Sequence, residues 1–171
     1  MRRSRIANRR TEFHAAFADR RTGSLLEIKA SMPSELNAIS PLVERMMLLI
    51  EAAHCVAGEE RAVELAVREA LNDAVVHGNR LNPRKFVRIR CRLSVGKGIW
   101  LVVSDRGEGF DARAVPDSFD TGNLKTEHGR AIQLMESAVD LVSFELRGTE
   151  VHMRKRPARN PSDARSGSRR C

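Results

Sequence analysis

Two segments of the chain carry apolar residues at helical spacing. The first pattern predicts a helix that begins near Ser34 and ends before Gly58. The second predicts a helix over 59–77, with Gly78 as its C-terminal cap. The residues that form the apolar stripe of the first helix are Ile39, Leu42, Val43, Met46, Leu49, Ile50 and Ala53. The corresponding residues of the second helix are Val63, Val67, Ala70, Leu71 and Ala74.

Other segments follow strand patterns. Arginines alternate with apolar residues over 86–95, which predicts a strand with one solvated face. Residues 99–104 are nearly all apolar, as expected of a strand covered on both faces. Further strands are predicted over 24–32, 139–146 and 149–154, and a short helix over 129–137. This order predicts an α/β (α+β) two-layer sandwich, with a mixed, mostly antiparallel sheet and helices on one face.

Positive charge is concentrated at the two ends of the chain. The net charge of +8 divides into +5 for residues 1–21 and +6 for residues 154–171, which leaves −3 for the middle of the chain. We therefore expect a basic disordered arm over 1–23, one domain over 24–156 and a basic disordered tail over 157–171. Neither end interleaves aromatic residues with its arginines, so nucleic-acid binding is not the expected function.

The cysteines and the apolar segments indicate the cellular setting. Cys55, Cys91 and Cys171 are odd in number and widely spaced, which fits neither a disulfide framework nor a metal site. Cys55 and Cys91 are expected to be small core residues. No apolar run follows the basic N-terminus as in a signal peptide, and charges interrupt the most apolar stretch, so we expect a cytoplasmic protein without a membrane span.

Two short runs carry the candidate chemistry. Glu69, Asn72 and Asp73 stand at positions i, i+3 and i+4 of the second predicted helix, so they share one face. Asp105, Gly107 and Gly109 follow a predicted strand, where glycines allow backbone to approach a ligand closely and to adopt positive φ angles. A carboxylate-rich helix face and a glycine loop after a strand are the parts needed to hold Mg²⁺ and a nucleotide.

These runs resemble motifs of the GHKL (Bergerat-fold) ATPases. The run from Glu69 to Gly78 resembles the N-box of that family, and Asp105-x-Gly107-x-Gly109 resembles its first glycine box. Residues 129–135 resemble the second glycine box, and 148–149 resemble the last. The order and spacing are most similar to the anti-sigma-factor serine kinases and related small bacterial ATP-binding regulators. The resemblance covers roughly residues 25–155.

The resemblance implies roles for individual residues near the two runs. Glu69 matches the general base that deprotonates a serine hydroxyl during transfer of the γ-phosphoryl group. Asp105 matches the residue that accepts a hydrogen bond from the adenine amino group. Asp73 stands where the family has its Mg²⁺-binding Asn, and Asn72, on the same helix face, is a second candidate Mg²⁺ ligand.

The resemblance also assigns nucleotide-binding roles farther along the chain. Gly129, Arg130 and Ala131 match the second glycine box, at the start of a helix whose N–H groups point at phosphate oxygens. Thr149 matches the threonine that helps to hold adenine. ATP and Mg²⁺ are therefore the expected cofactors.

The function implied by the resemblance is that of an ATP-binding serine protein kinase acting as an anti-sigma factor. Such a protein sequesters a sigma factor, phosphorylates a small antagonist protein, and forms a homodimer. The carboxylate of Asp73 and the methyl group of Ala131, where the family has Asn and Gly, keep a second function open: a nucleotide-responsive binding module without phosphotransfer. A histidine-kinase catalytic domain is less expected, because residues 1–33 are too short and too Arg-rich for a phospho-accepting helix hairpin.

Overall fold

The computed structural model of the chain describes residues 10–16, 26–109 and 127–157. Within them, three α-helices pack on one face of a six-stranded sheet. The helices are α1 (Ile39–Ala53), α2 (Glu60–Asp73) and α3 (Glu127–Ala138). The strands are β1 (Glu12–Ala16), β2 (Leu26–Pro33), β3 (Phe86–Ser94), β4 (Gly98–Ser104), β5 (Leu141–Glu145) and β6 (Glu150–Lys155). The two-layer α/β fold predicted from the hydrophobic pattern is confirmed.

The sheet has the strand order β1-β2-β3-β4-β6-β5, with β1 and β5 at its edges. Every pair of neighbouring strands among the described residues is antiparallel, so the expectation of a mixed sheet was wrong. The two helices between β2 and β3 bring the chain back beside β2 in the opposite direction. The other neighbouring pairs that are consecutive in the chain are joined by shorter connections, as antiparallel pairs permit.

The core lies between the sheet and the helices. On β3, Val87, Ile89, Cys91 and Leu93 are at most 1% exposed, while the arginines between them face solvent. The predicted apolar stripes of α1 and α2 meet these strand residues in one cluster. Cys55 is also buried, which confirms that both cysteines are core residues. Each fully buried aliphatic side chain in such a core contributes about 1.5–3 kcal/mol.

β1 lies inside the segment that was expected to be a disordered arm. Its residues pair with β2 in the register Glu12↔Ser31 to Ala16↔Glu27. Phe13 is half-buried against the core, and the guanidinium of Arg45 stacks over its ring at 4.2 Å. The strand was missed because it is only five residues long and carries one large apolar side chain, which is too short a pattern to show alternation.

Some of the sequence predictions concern residues that the structure does not describe. Most of the expected lid over 110–128, together with residues 1–9 and 158–171 of the basic ends, lies outside the described residues. None of the described helices is long and apolar enough to cross a membrane.

Candidate nucleotide site

The end of α2 is distorted where the first motif is located. The helix continues as one π-helical turn (Ala74–Gly78), in which the N–H of Asn79 donates to the carbonyl of Ala74 at 2.8 Å. The chain then turns through Arg80 and Leu81, both left-handed with φ of 56° and 53°. π-helical turns and left-handed non-glycine residues both cost free energy and are concentrated at functional sites.

Gly78 does not cap the helix as expected, because its φ is not positive. A Cβ atom at this position would lie 2.5 Å from Cγ and Oδ2 of Asp105. Gly107 likewise has no positive φ, and a Cβ there would lie 2.1 Å from the carbonyl oxygen of Gly78. The two glycines are therefore needed for close approach between the end of α2 and the loop after β4.

Asp105 occupies the contact between these two segments. The N–H of Gly107 donates to its Oδ1 at 2.6 Å, and its own N–H donates to the carbonyl of Thr149 at 3.0 Å. Burial raises the pKa of Asp105 above its ordinary value; the Gly107 N–H opposes this effect, and the negative charge of Asp73 adds to it. Asp105 is thus a half-buried carboxyl group that is held at one oxygen and can accept further hydrogen bonds at the other.

Asn79 is a structural residue of the site that the sequence reasoning did not single out. Its side chain is fully buried; Oδ1 accepts from the N–H of Arg106 at 2.9 Å and Nδ2 donates to the carbonyl of Phe86 at 3.3 Å. It therefore ties the end of α2 both to β3 and to the loop that carries Asp105. The only sequence signal was a polar residue directly after the N-box motif, and that signal does not distinguish a buried amide from an exposed one.

The last glycine of the loop packs against the connection between β5 and β6. Gly109 has a φ of +75°, and a Cβ there would lie 2.0 Å from the carbonyl oxygen of Arg147. The Thr149 hydroxyl donates to the carbonyl of Leu146 at 2.9 Å, within the same connection. The structure thus places Thr149 beside the loop, with its backbone bonded to Asp105 and its hydroxyl directed to its own turn.

A cavity of about 150 Å³ lies between these segments. Its described lining residues are Asp73, His77, Gly78, Arg80, Asp105, Glu108, Gly109 and Gly148. At its rim Arg80 and Glu108 form an ion pair of 2.9 Å between two exposed side chains. Ligand sites are commonly 300–1,000 Å³, so this cavity can hold part of a nucleotide rather than all of it.

The cavity brings together residues from three of the four motifs: Asp73 and Gly78 of the N-box, Asp105 and Gly109 of the first glycine box, and Gly148 of the last. Asn72 is exposed and not among the described lining residues, because adjacent helix positions point in different directions. Glu69 is half-buried, one helical turn before Asp73.

The second glycine box lies near the start of α3 and does not line this cavity among the described residues. Gly129 and Ala131 are buried there, while Arg130 is exposed. The methyl group of Ala131 is thus enclosed by the protein, at 5% exposure.

A larger cavity, of about 440 Å³, opens on the outer face of the sheet. It is lined mainly by polar side chains of β1, β2 and β3 and contains none of the residues singled out by the motifs. Size alone therefore does not identify the nucleotide site, and the convergence of the motif residues favours the smaller cavity.

Comparison with known proteins agrees with the motifs. A family model described as the histidine kinase-like ATPase domain matches residues 32–155, a range that includes every residue of the site described above. A search of curated proteins finds no match.

Proposed function

The chain belongs to the histidine kinase-like ATPase family, and on that basis we propose that it binds ATP and transfers the γ-phosphoryl group to a serine of a partner protein. The adenine would occupy the cavity between α2 and the 105–109 loop. In this proposal Asp105 binds the adenine amino group and Glu69 is the general base.

The setting of Asp105 is the observation that carries the proposal. A half-buried carboxylate with one oxygen held by the Gly107 N–H presents its other oxygen in a fixed direction. An exocyclic amino group is a suitable donor to such an oxygen. Gly78 and Gly107 pack directly against this carboxylate and against each other, so the position of Asp105 is fixed by close backbone contacts.

The charge of the cavity supports a requirement for Mg²⁺. Asp73, Asp105 and Glu108 contribute carboxylates to a small space, and Arg80 contributes a guanidinium. A triphosphate brought beside the carboxylate of Asp73 is repelled unless a cation lies between them. Oxygen ligands are those that Mg²⁺ prefers, so the residues present fit the ion, with Asp73 as its proposed protein ligand. When bound, Mg²⁺ would neutralise charge on the phosphate oxygens.

In this proposal Glu69 acts on the same substrate. It precedes Asp73 by four residues on α2, and therefore lies on the same helix face one turn away. Its carboxylate would accept the proton of the serine hydroxyl as that oxygen attacks phosphorus. The second glycine box, Gly129 to Ala131, would contribute backbone N–H groups near the start of α3.

The partners in this proposal follow from the resemblance to anti-sigma-factor kinases. The chain would sequester a sigma factor, phosphorylate a small antagonist protein on serine, and act as a homodimer. Co-purification with a sigma factor of the source organism, and its release by the unphosphorylated antagonist, tests this part of the proposal separately from ATP binding.

Calorimetry with ATP and Mg²⁺, followed by transfer of labelled γ-phosphate to a purified antagonist protein, tests the enzymatic part. Glu69→Gln should keep the ATP affinity and lower the transfer rate by roughly 10²- to 10⁴-fold, because only proton transfer is removed. Glu64→Gln makes the same change on the same helix, at a residue paired with Arg68, and should keep the wild-type rate. Equal rates for the two variants would contradict the role of Glu69.

One observation favours the second function, a nucleotide-responsive binding module without phosphotransfer. Asp73 lines the cavity in the place of the family's neutral amide, and so adds a negative charge beside the phosphates. The same two assays separate the functions. Saturable ATP binding without any transfer, unchanged by Glu69→Gln, would support the binding module.

A further inference from the structure

We propose that Glu145, Glu150 and His152 form a binding site for a divalent transition-metal ion, zinc by its ligand chemistry, on the outer face of the sheet. This site is separate from the nucleotide cavity and does not depend on the proposed function. One ligand atom from each residue lies within 4.8 Å of the other two.

The register of β5 and β6 produces this cluster. Glu145 and Glu150 are direct partners across the two antiparallel strands. His152 is two residues beyond Glu150 on β6, so its side chain points to the same face. Two like charges placed directly opposite each other destabilise a strand pair unless a cation compensates them. The pair therefore favours a positive charge between the two carboxylates.

The distances are suited to a small metal ion. Nε2 of His152 lies 2.7 Å from Oε1 of Glu150 and 3.5 Å from Oε2 of Glu145. Tetrahedral zinc, with bonds of about 2.0–2.2 Å, holds its ligand atoms roughly 3.4 Å apart. The distance from Nε2 to Glu145 already fits this geometry. The distance from Nε2 to Glu150 is that of a hydrogen bond from imidazole N–H to carboxylate, and it must lengthen by about 0.7 Å. The proton on Nε2 would move to Nδ1 or to solvent when the metal binds.

The surroundings hold the ligands in place and leave an entry path. His152 and Glu150 are only 16% and 14% exposed in their side chains, whereas Glu145 is 59% exposed. Trp100 contacts the His152 ring edge-on, with the centroids 5.6 Å apart, which orients the imidazole. Glu150 also lines the outer cavity of about 440 Å³, through which an ion and a water ligand can enter.

The ligand set selects the class of metal. Imidazole nitrogen and carboxylate oxygen are both zinc ligands, and three protein ligands leave a fourth tetrahedral position open for water. Mg²⁺ prefers oxygen ligands alone and is a poor competitor at an imidazole.

Arg90 lies 3.7 Å from Glu150 and supplies a competing positive charge. The site should therefore bind zinc more weakly with Arg90 present than without it.

Titration of the full chain with Zn²⁺ in excess Mg²⁺ tests the site, with Co²⁺ absorption as a second probe of nitrogen and carboxylate ligation. We expect one ion per chain. Glu145→Gln, at the exposed ligand, should keep the fold and weaken zinc binding roughly tenfold or more, since even an outer-shell change costs that much. His152→Gln should do the same. His54→Gln, at an exposed histidine outside the cluster, should have no effect.

The sign of the Arg90 effect distinguishes this site from non-specific zinc binding. Arg90→Gln should bind zinc several-fold more tightly, because it removes a positive charge beside Glu150. Arg61→Gln removes an exposed arginine on α2, in the helical layer on the other side of the sheet, and should leave the affinity unchanged. The proposal is overturned if zinc binding is not saturable, or if Glu145→Gln and His152→Gln bind zinc as tightly as the wild type.

Discussion

Replacing Asp105 with Asn should weaken ATP binding while making the ligand-free protein more stable at neutral pH. Asparagine has nearly the shape of aspartate, so the change mainly removes a negative charge and two acceptor sites. The Gly107 N–H donates to Oδ1 at 2.6 Å, and the amide oxygen of Asn would keep this bond. The amide nitrogen would then stand where Oδ2 stood and present a donor to the adenine amino group.

The magnitude follows from the hydrogen bond that is lost. A hydrogen bond to a charged group contributes about 1.5–3 kcal/mol, so ATP affinity should fall by roughly 10- to 150-fold. Rotating the amide to present its oxygen to adenine would restore that contact but would lose the bond to Gly107. Either orientation leaves one pair of polar groups unsatisfied, so the affinity falls in both cases.

The effect on stability has the opposite sign. Burial raises the pKa of Asp105, so the folded protein binds this proton more tightly than the unfolded chain does. The stabilisation from this group is fully present below its ordinary pKa of 3.8 and is lost as the pH rises through the raised folded value. At neutral pH the ionised carboxylate therefore lowers the stability, and Asp105→Asn should raise the free energy of unfolding. The gain should shrink as the pH falls through the folded pKa.

Calorimetry with ATP and Mg²⁺ gives the affinity, and urea unfolding at a series of pH values gives the stability. Glu108→Gln is the matched control, since it removes a carboxylate from the rim of the same cavity at an 81% exposed side chain. The control should change ATP affinity far less and should show no comparable gain in stability. Unchanged ATP affinity in Asp105→Asn would refute the assignment of this carboxylate to adenine.

Further predictions concern neighbouring positions. Asp73→Asn should reduce the dependence of ATP affinity on Mg²⁺, because it removes a charge that repels the triphosphate; calorimetry over a Mg²⁺ series checks this, and an unchanged dependence would contradict it. Gly78→Ala should abolish nucleotide binding, since its Cβ would overlap the adjacent carboxylate, whereas unaltered affinity would show that the loop can shift freely. Asn79→Ala should lower the free energy of unfolding in urea by about 1–3 kcal/mol, because it removes a buried amide and leaves a partly buried N–H and a partly buried carbonyl without their partner; a smaller loss would mean that water replaces the amide. In a Cys171→Ser background neither core cysteine should react with iodoacetamide until the protein unfolds, because burial raises the pKa of both thiols. Labelling of the folded variant would contradict that burial.

Much of the fold was predictable from local periodicity. The apolar stripes predicted α1 and α2, and the alternation over 86–95 predicted β3 to within one residue. Each of these elements buries one whole face, so its apolar residues recur at the period of a helix or a strand within one short segment. β1 was not predictable, because its position depends on pairing with β2 and on one aromatic contact to α1.

The candidate site was likewise predictable in part from the sequence. The order of the motifs was sufficient to identify the family, which the match over 32–155 shows independently. The sequence could not decide between Asn72 and Asp73 as the residue that faces the cavity, since each stands about one helical turn after Glu69, at i+3 and i+4. Deciding between the two residues required the orientation of α2 relative to the 105–109 loop.

By itself, then, the sequence determined the helices, the central strands and the family, because periodic burial and motif order are local properties of the chain. Tertiary structure alone decided that Gly78 is needed for contact with Asp105 rather than for a helix cap. It also decided that Asn79 is buried, and that Glu145 and Glu150 stand opposite each other. The physical reason is that these features depend on approaches of a few ångströms between separate backbone segments, and such approaches are set by the packing of whole elements.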